Sequence, residues 1–214
     1  MAVLGLAVLL LAIDGTVLSL AVPALTEALA PTAEQVLWIG HIYSLALAGL
    51  LVLMGNLADR FGRKRVLMIG SAAFGAASLL AAFSVSAEML IAGRLLLGVA
   101  GATVMPSTLS LIRNIFPVAA ERTRAIAIWS MAFGAGSAIG PLVGGFLLEH
   151  FWWGAVFLIN VPVMLVVLAS GLILLPESRD PAPGRFDVLS AALSMATVVP
   201  IVDAITHVVA SGMT

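Results

Sequence analysis

Gly55-Asn56-Leu57-Ala58-Asp59-Arg60-Phe61-Gly62-Arg63-Lys64-Arg65 is the stretch on which the fold turns. It is the only dense charge cluster in a chain of 214 residues that is 62% hydrophobic and 10% charged. It separates two apolar runs, residues 36–57 and 66–86, and a helix of about 20 apolar residues crosses a bilayer core. The stretch therefore reads as a tight charged loop between two membrane helices. Cations beside a span can do no more than set topology, because Lys and Arg gather on the cytoplasmic side. That accounts for Arg60, Arg63, Lys64 and Arg65 but leaves Gly55, Asp59 and Gly62 unexplained. A carboxylate at a helix C-terminus opposes the helix dipole, so Asp59 needs a compensating cation or a helix N-terminus.

Outward from this loop the chain alternates apolar spans with short polar connections. Spans are expected at residues 3–25, 36–57, 66–86, 89–112, 125–148 and 155–175, with a seventh apolar stretch at 188–209. A mean hydropathy of +1.17 places the chain among polytopic helical membrane proteins. Met1 runs into the first span without a basic lead and Asp14 sits in its middle, which favours a retained helix over a signal peptide. Trp38 and Tyr43 suit an interfacial belt at the start of span two. Gly140-Pro141 interrupts span five. In the seventh stretch Asp203 and His207 are four residues apart and share a helix face, which fits a snorkelling pair near a helix end better than a proton site.

The net charge of −1 hides an asymmetry. Nine of the ten Lys and Arg residues lie after spans two, four and six, and none lies after spans one, three and five. The N-terminus and the even loops are thus expected in the cytoplasm. Cysteine is absent, which excludes disulfides and thiolate metal sites. No pattern supports nucleic-acid binding. His41, His150 and His207 are scattered, no H-E-x-x-H or Ser-His-Asp set is present, and a membrane enzyme is not expected.

Asp14 is the sharpest candidate for chemistry. A carboxylate at the centre of a span costs about 2.5–3.5 kcal/mol on insertion scales, so it should face the bundle interior. Burial disfavours its charged form and a nearby cation favours it; a group balanced between the two can exchange a proton. The bland alternative is a fixed ion pair that locks helices together. Arg94 is the only cation inside a span, about 8 Å from Asp14 in depth by helix rise, and is the expected partner. Gly136, Gly140 and Gly144 recur every four residues and give one smooth helix face, while Pro141 removes a donor and bends the helix.

Five stretches carry a family resemblance. The G-x-L-x-D-R-x-G-R-K-R loop resembles the connection between helices two and three of major facilitator superfamily transporters. Leu90-Ile91-Ala92-Gly93-Arg94-Leu95-Leu96-Leu97-Gly98-Val99-Ala100-Gly101 resembles the superfamily's fourth-helix motif, whose arginine is linked to proton coupling. Gly134-Ala135-Gly136-Ser137-Ala138-Ile139-Gly140-Pro141-Leu142-Val143-Gly144-Gly145 resembles the fifth-helix motif of its exporters. Asp14-Gly15-Thr16-Val17-Leu18-Ser19-Leu20-Ala21-Val22-Pro23 and Trp152-Trp153-Gly154-Ala155-Val156-Phe157-Leu158-Ile159-Asn160-Val161-Pro162 are similar to segments of the fourteen-span drug–proton antiporters, especially bacterial pumps for dyes and quaternary ammonium compounds.

The resemblance implies an all-α polytopic membrane protein. Residues 1–176 would form the superfamily's N-terminal six-helix bundle, a 3+3 inverted repeat, followed by a cytoplasmic linker at 177–187 and a seventh linker helix at 188–209. It implies proton-coupled multidrug efflux of lipophilic cations from a bacterial plasma membrane, driven by the proton gradient without a cofactor. Asp14 and Arg94 would couple protons, and Gly55, Asp59, Arg60, Gly62, Arg63, Lys64 and Arg65 would gate the cytoplasmic side. Gly136, Gly140, Pro141, Gly144 and Gly145 would form the exporter motif. Asp14, Met105 and Phe133 are expected to line a substrate cavity. Family members carry a second six-helix bundle, so the expected partners are the bilayer, cationic drugs and a C-terminal bundle or partner chain. A non-transporting membrane module and an uptake transporter of another substrate are the alternatives.

Overall fold

The computed structural model describes residues 1–179; the seventh apolar stretch, Asp203 and His207, and all but the start of the linker lie outside them. Seven helices follow in order: α1 (Ala2–Leu29), α2 (Ala33–Phe61), α3 (Arg63–Ala82), α4 (Ala87–Ile115), α5 (Ala119–His150), α6 (Ala155–Leu158) and α7 (Asn160–Leu174). The last two make one span, so six spans have the length and composition to cross a membrane. Each of the six expected spans is present.

The helix ends follow from local chemistry. Thr32 and Gln35 form a reciprocal capping box at the start of α2, with Gln35 N–H donating to Thr32 Oγ1 at 3.2 Å and Thr32 N–H to Gln35 Oε1 at 2.9 Å. Ser86 accepts the Met89 N–H at 3.2 Å and adopts the extended backbone of an N-cap. That cap stops α3 at Ala82, four residues short of the expected end. Gly62 joins α2 to α3 with φ 111°, a conformation L side chains rarely adopt. α1, α2, α4 and α5 run past the expected limits because hydropathy sees only the apolar part of a helix.

Two expectations are corrected. α5 passes through Gly140-Pro141 without interruption, since one proline removes one backbone donor and its neighbours hold the helix. Tyr43 is no interfacial residue. It is 4% exposed and packed in the interior, because Arg94 supplies a cation for its ring to cover.

α1 is the most enclosed helix: Leu4, Ala7, Val8, Val17, Ala21 and Leu25 have no exposure. It packs chiefly on α5, while α2 packs on α4, and α3 on α4 and α7. The α1–α5 contact depends on the glycine row. A Cβ on Gly136 would strike the Leu9 carbonyl, one on Gly140 the Thr16 hydroxyl, and one on Gly144 would come within 2.6 Å of Val17 Cγ2. Without a hydrophobic drive between helices in lipid, such close approach is what gives the contact its dispersion energy. The outer face of α5 stays bare, with Met131, Leu142 and Phe146 more than half exposed.

The sixth span breaks at Ile159 for a simple reason. Pro162 has no N–H to give the Leu158 carbonyl, so the helix restarts at Asn160 with Pro162 in its first turn, where a missing donor is tolerated. The break sets Asn160 at the head of α7, facing the interior.

Candidate functional site: a buried carboxylate beside an apolar cavity

Asp14 and Arg94 are brought together. Arg94 Nη1 donates to Asp14 Oδ2 at 3.1 Å, and the two side chains are 1% and 0% exposed. Arg94 Nε donates to the Ile39 carbonyl at 3.3 Å. The guanidinium carbon lies 4.5 Å from the centre of the Tyr43 ring and 5.9 Å from that of Phe157. Two π faces and a carbonyl therefore share the cation's solvation with the carboxylate. The other oxygen of Asp14 accepts from Asn160 Nδ2 at 2.7 Å, and that amide also donates to Ser78 Oγ at 3.1 Å. Side chains from α1, α3, α4 and α7 thus meet at one carboxyl group. A charge pair so enclosed survives only if its remaining hydrogen-bonding capacity is met, and removing one partner of such a pair costs about 3–5 kcal/mol.

Beside this cluster lies a cavity of about 230 Å³ lined by Leu11, Ala12, Gly15, Thr16, Tyr43, Ser44, Leu47, Met105, Phe133 and Ser137. Met105 and Phe133 are among the lining residues. Asp14 is not: Arg94 and Asn160 hold it inside the bundle. Tyr43 belongs to both places, with its ring over Arg94 and its side chain in the cavity wall. Four hydroxyl-bearing side chains, Thr16, Tyr43, Ser44 and Ser137, interrupt an otherwise apolar lining.

At the other membrane face the charged loop is tied down. Asp59 Oδ1 accepts from Arg63 Nε at 2.8 Å, which supplies the compensating cation that a carboxylate at the end of α2 requires. Lys64 Nζ donates to the Leu172 carbonyl at 2.9 Å, in the last turn of α7. Glu177 Oε1 accepts the Lys64 backbone N–H at 3.2 Å, and Arg63 N–H donates to the Ser178 carbonyl at 2.9 Å. Residues 177–178 therefore cap the N-terminus of α3, where a carboxylate suits the dipole. Arg60 and Arg65 are exposed. Gly55 sits where α2 meets α4; a Cβ there would lie 3.4 Å from Pro106 Cβ. Gly145 differs from the rest of its motif, because a Cβ on it would meet open space.

Asn160, Ser78, Tyr43 and Glu177 were not singled out by sequence as site residues. Asn160 could have been: it is a lone amide inside a wholly apolar run, and polar groups at membrane depth tend to be functional.

A family model described as the Major Facilitator Superfamily matches residues 4–212. The chain is 60% identical over 205 residues to the multidrug efflux pump LfrA of Mycolicibacterium smegmatis, covering 96% of this chain and 41% of that protein. It is 51% identical over 157 residues to the methyl viologen resistance protein SmvA of Salmonella typhimurium, covering 73% of this chain and 32% of that one. A crystal structure of the peptide transporter POT superposes with a TM-score of 0.73 at 18% identity, over 96% of this chain and 45% of the other. The chain spans less than half the length of these relatives.

Proposed function

The chain belongs to the Major Facilitator Superfamily, and from that premise we propose that it is the proton-coupling half of a multidrug exporter, exchanging protons for lipophilic cations. The observation that carries this reading is the fully buried Asp14–Arg94–Asn160 cluster sharing Tyr43 with an apolar cavity. A proton arriving at Asp14 cancels its charge and loosens its hold on Arg94, which then draws more of its stabilisation from Tyr43 and the Ile39 carbonyl. Movement of Tyr43 passes that change to the cavity wall. Met105 and Phe133 offer a polarizable, apolar surface on which flat cations of different shapes can pack.

The relatives named for multidrug efflux and methyl viologen resistance support cationic drugs as the substrate class. The charge asymmetry supports a cytoplasmic N-terminus and a cytoplasmic Asp59–Arg63 loop. There the loop gates by holding α2, α3 and the end of α7 together. The bare outer faces of α2 and α5 fit a second six-helix bundle that closes the cavity, supplied by a longer chain or by a second copy. Exchange of one proton for one monovalent cation is electroneutral, so transport should ignore membrane potential.

The test is ethidium efflux from proteoliposomes with an imposed pH gradient, using the chain alone and together with a second bundle. Gradient-driven efflux that disappears in Asp14→Asn is the expected result. Undiminished efflux in that variant would overturn the reading.

A further inference from the structure

The two oxygens of Asp14 face different chemistry. Oδ2 faces Arg94, which has donors and no acceptor. Oδ1 faces the Asn160 amide nitrogen, whose other N–H goes to Ser78, while Asn160 Oδ1 is buried without a partner among the described residues. A proton on the oxygen that faces Arg94 would leave that oxygen a poorer acceptor for the guanidinium, so Oδ1 is the better seat for it. Directed at Asn160 from there, it meets the NH₂, again a donor. A half-turn of the amide resolves the conflict. Its oxygen then accepts from the new O–H, and the Ser78 hydroxyl, which both donates and accepts, turns to donate to the same oxygen.

The surroundings leave both orientations open. As the amide stands, its oxygen has no partner among the described residues; after the half-turn, its nitrogen would take that unpartnered place. One unmatched amide atom in each orientation means that neither is locked by a surplus of bonds. The charged and titratable groups facing the carboxyl group are Arg94 from α4 and, across the guanidinium, Tyr43 from α2. α3 and α7 bring uncharged Ser78 and Asn160, and the charged residues of α5, Glu121, Arg122, Arg124, Glu149 and His150, lie near its two ends.

We propose that Asn160 is a positioning residue for proton exchange at Asp14, its amide reversing each time the carboxyl group gains or loses its proton, with Ser78 turning in step. The inference rests on the reading of Asp14 as the proton carrier. One proton from water adds to Asp14 Oδ1, no covalent bond within the chain breaks, and the carboxyl group stays hydrogen-bonded in both states.

The experiment is solid-state NMR on the 214-residue chain in lipid bilayers, with the aspartate carboxyl carbon and the asparagine side-chain nitrogen isotope-labelled. The through-space coupling between Asp14 and Asn160 is assigned by its absence in Asn160→Ser and, independently, in Asp14→Asn. We expect it while the carboxyl shift is that of a carboxylate, and its loss as the shift becomes that of an acid. Coupling that persists unchanged through the titration would make Asn160 a fixed donor and overturn the inference, leaving Asp14 as proton carrier intact. An Asp14 that stays a carboxylate at every pH where the chain is folded would overturn both.

Discussion

Replacing Gly136 and Gly145 by alanine tests the α1–α5 contact with a built-in control. Both residues lie in the same motif on the same helix, and both changes add one methyl group. Each gains the helix propensity of alanine over glycine, about 0.5–1 kcal/mol. They differ in what the methyl meets. At Gly136 it strikes the Leu9 carbonyl and comes within 2.9 Å of Ala12 Cβ, while at Gly145 nothing among the described residues lies within 4 Å. The Leu9 carbonyl is backbone and cannot rotate away, so α1 and α5 must separate. Overpacking of that kind costs about 1–3 kcal/mol. The propensity gain cancels in the difference, and Gly136→Ala is expected to be about 1–3 kcal/mol less stable than Gly145→Ala. The measurement is unfolding of the purified chain in mixed micelles with rising denaturing detergent, followed by tryptophan fluorescence. A difference below about 0.5 kcal/mol, less than the smallest such penalty, would refute close helix approach as the reason for the glycine.

The charge pair should behave as a unit: Asp14→Leu and Arg94→Met are each expected to cost about 3–5 kcal/mol in the same unfolding assay. The double variant should recover most of that loss, and a strictly additive result would count against the pairing. Gly62→Ala should lose about 1 kcal/mol or more, because φ is 111° and a Cβ would lie 2.7 Å from Glu177 Oε1. Asp59→Asn breaks a partly exposed pair and should change stability by less than about 1 kcal/mol, while slowing ethidium efflux; a large stability loss with normal efflux would deny it a gating part. Phe133→Ala should change the rank order of cationic dyes transported and leave the proton dependence of efflux unaltered, which dye-by-dye efflux at two external pH values would read.

The spans were legible because a bilayer imposes length and hydropathy on a helix, and the charged loop because nothing else in the chain resembles it. The Asp14–Arg94 pair was legible because charges within spans are costly and these two sit at comparable depth. Tyr43 was misread: tyrosine near a span end usually seeks headgroups, and only the position of Arg94 across the α2–α4 contact explains its burial. Asn160 escaped notice because a neutral amide leaves no mark in the charge pattern, and one polar residue barely lowers the mean hydropathy of so apolar a span. Its importance lies in a contact across the bundle, from the head of α7 to the carboxylate of α1. The capping of α3 by Glu177 joins residues 113 positions apart, a pairing that local pattern does not encode.

α1 carries both the buried carboxylate and the seam with α5. Asp14 points to one side of it, while Leu9, Thr16 and Val17 meet the glycine row on another. Thr16 and Val17 seat against Gly140 and Gly144, so the seam fixes register as well as contact. α1 is then a keyed shaft: the groove that three glycines leave on α5 sets where along that helix the carboxylate is held.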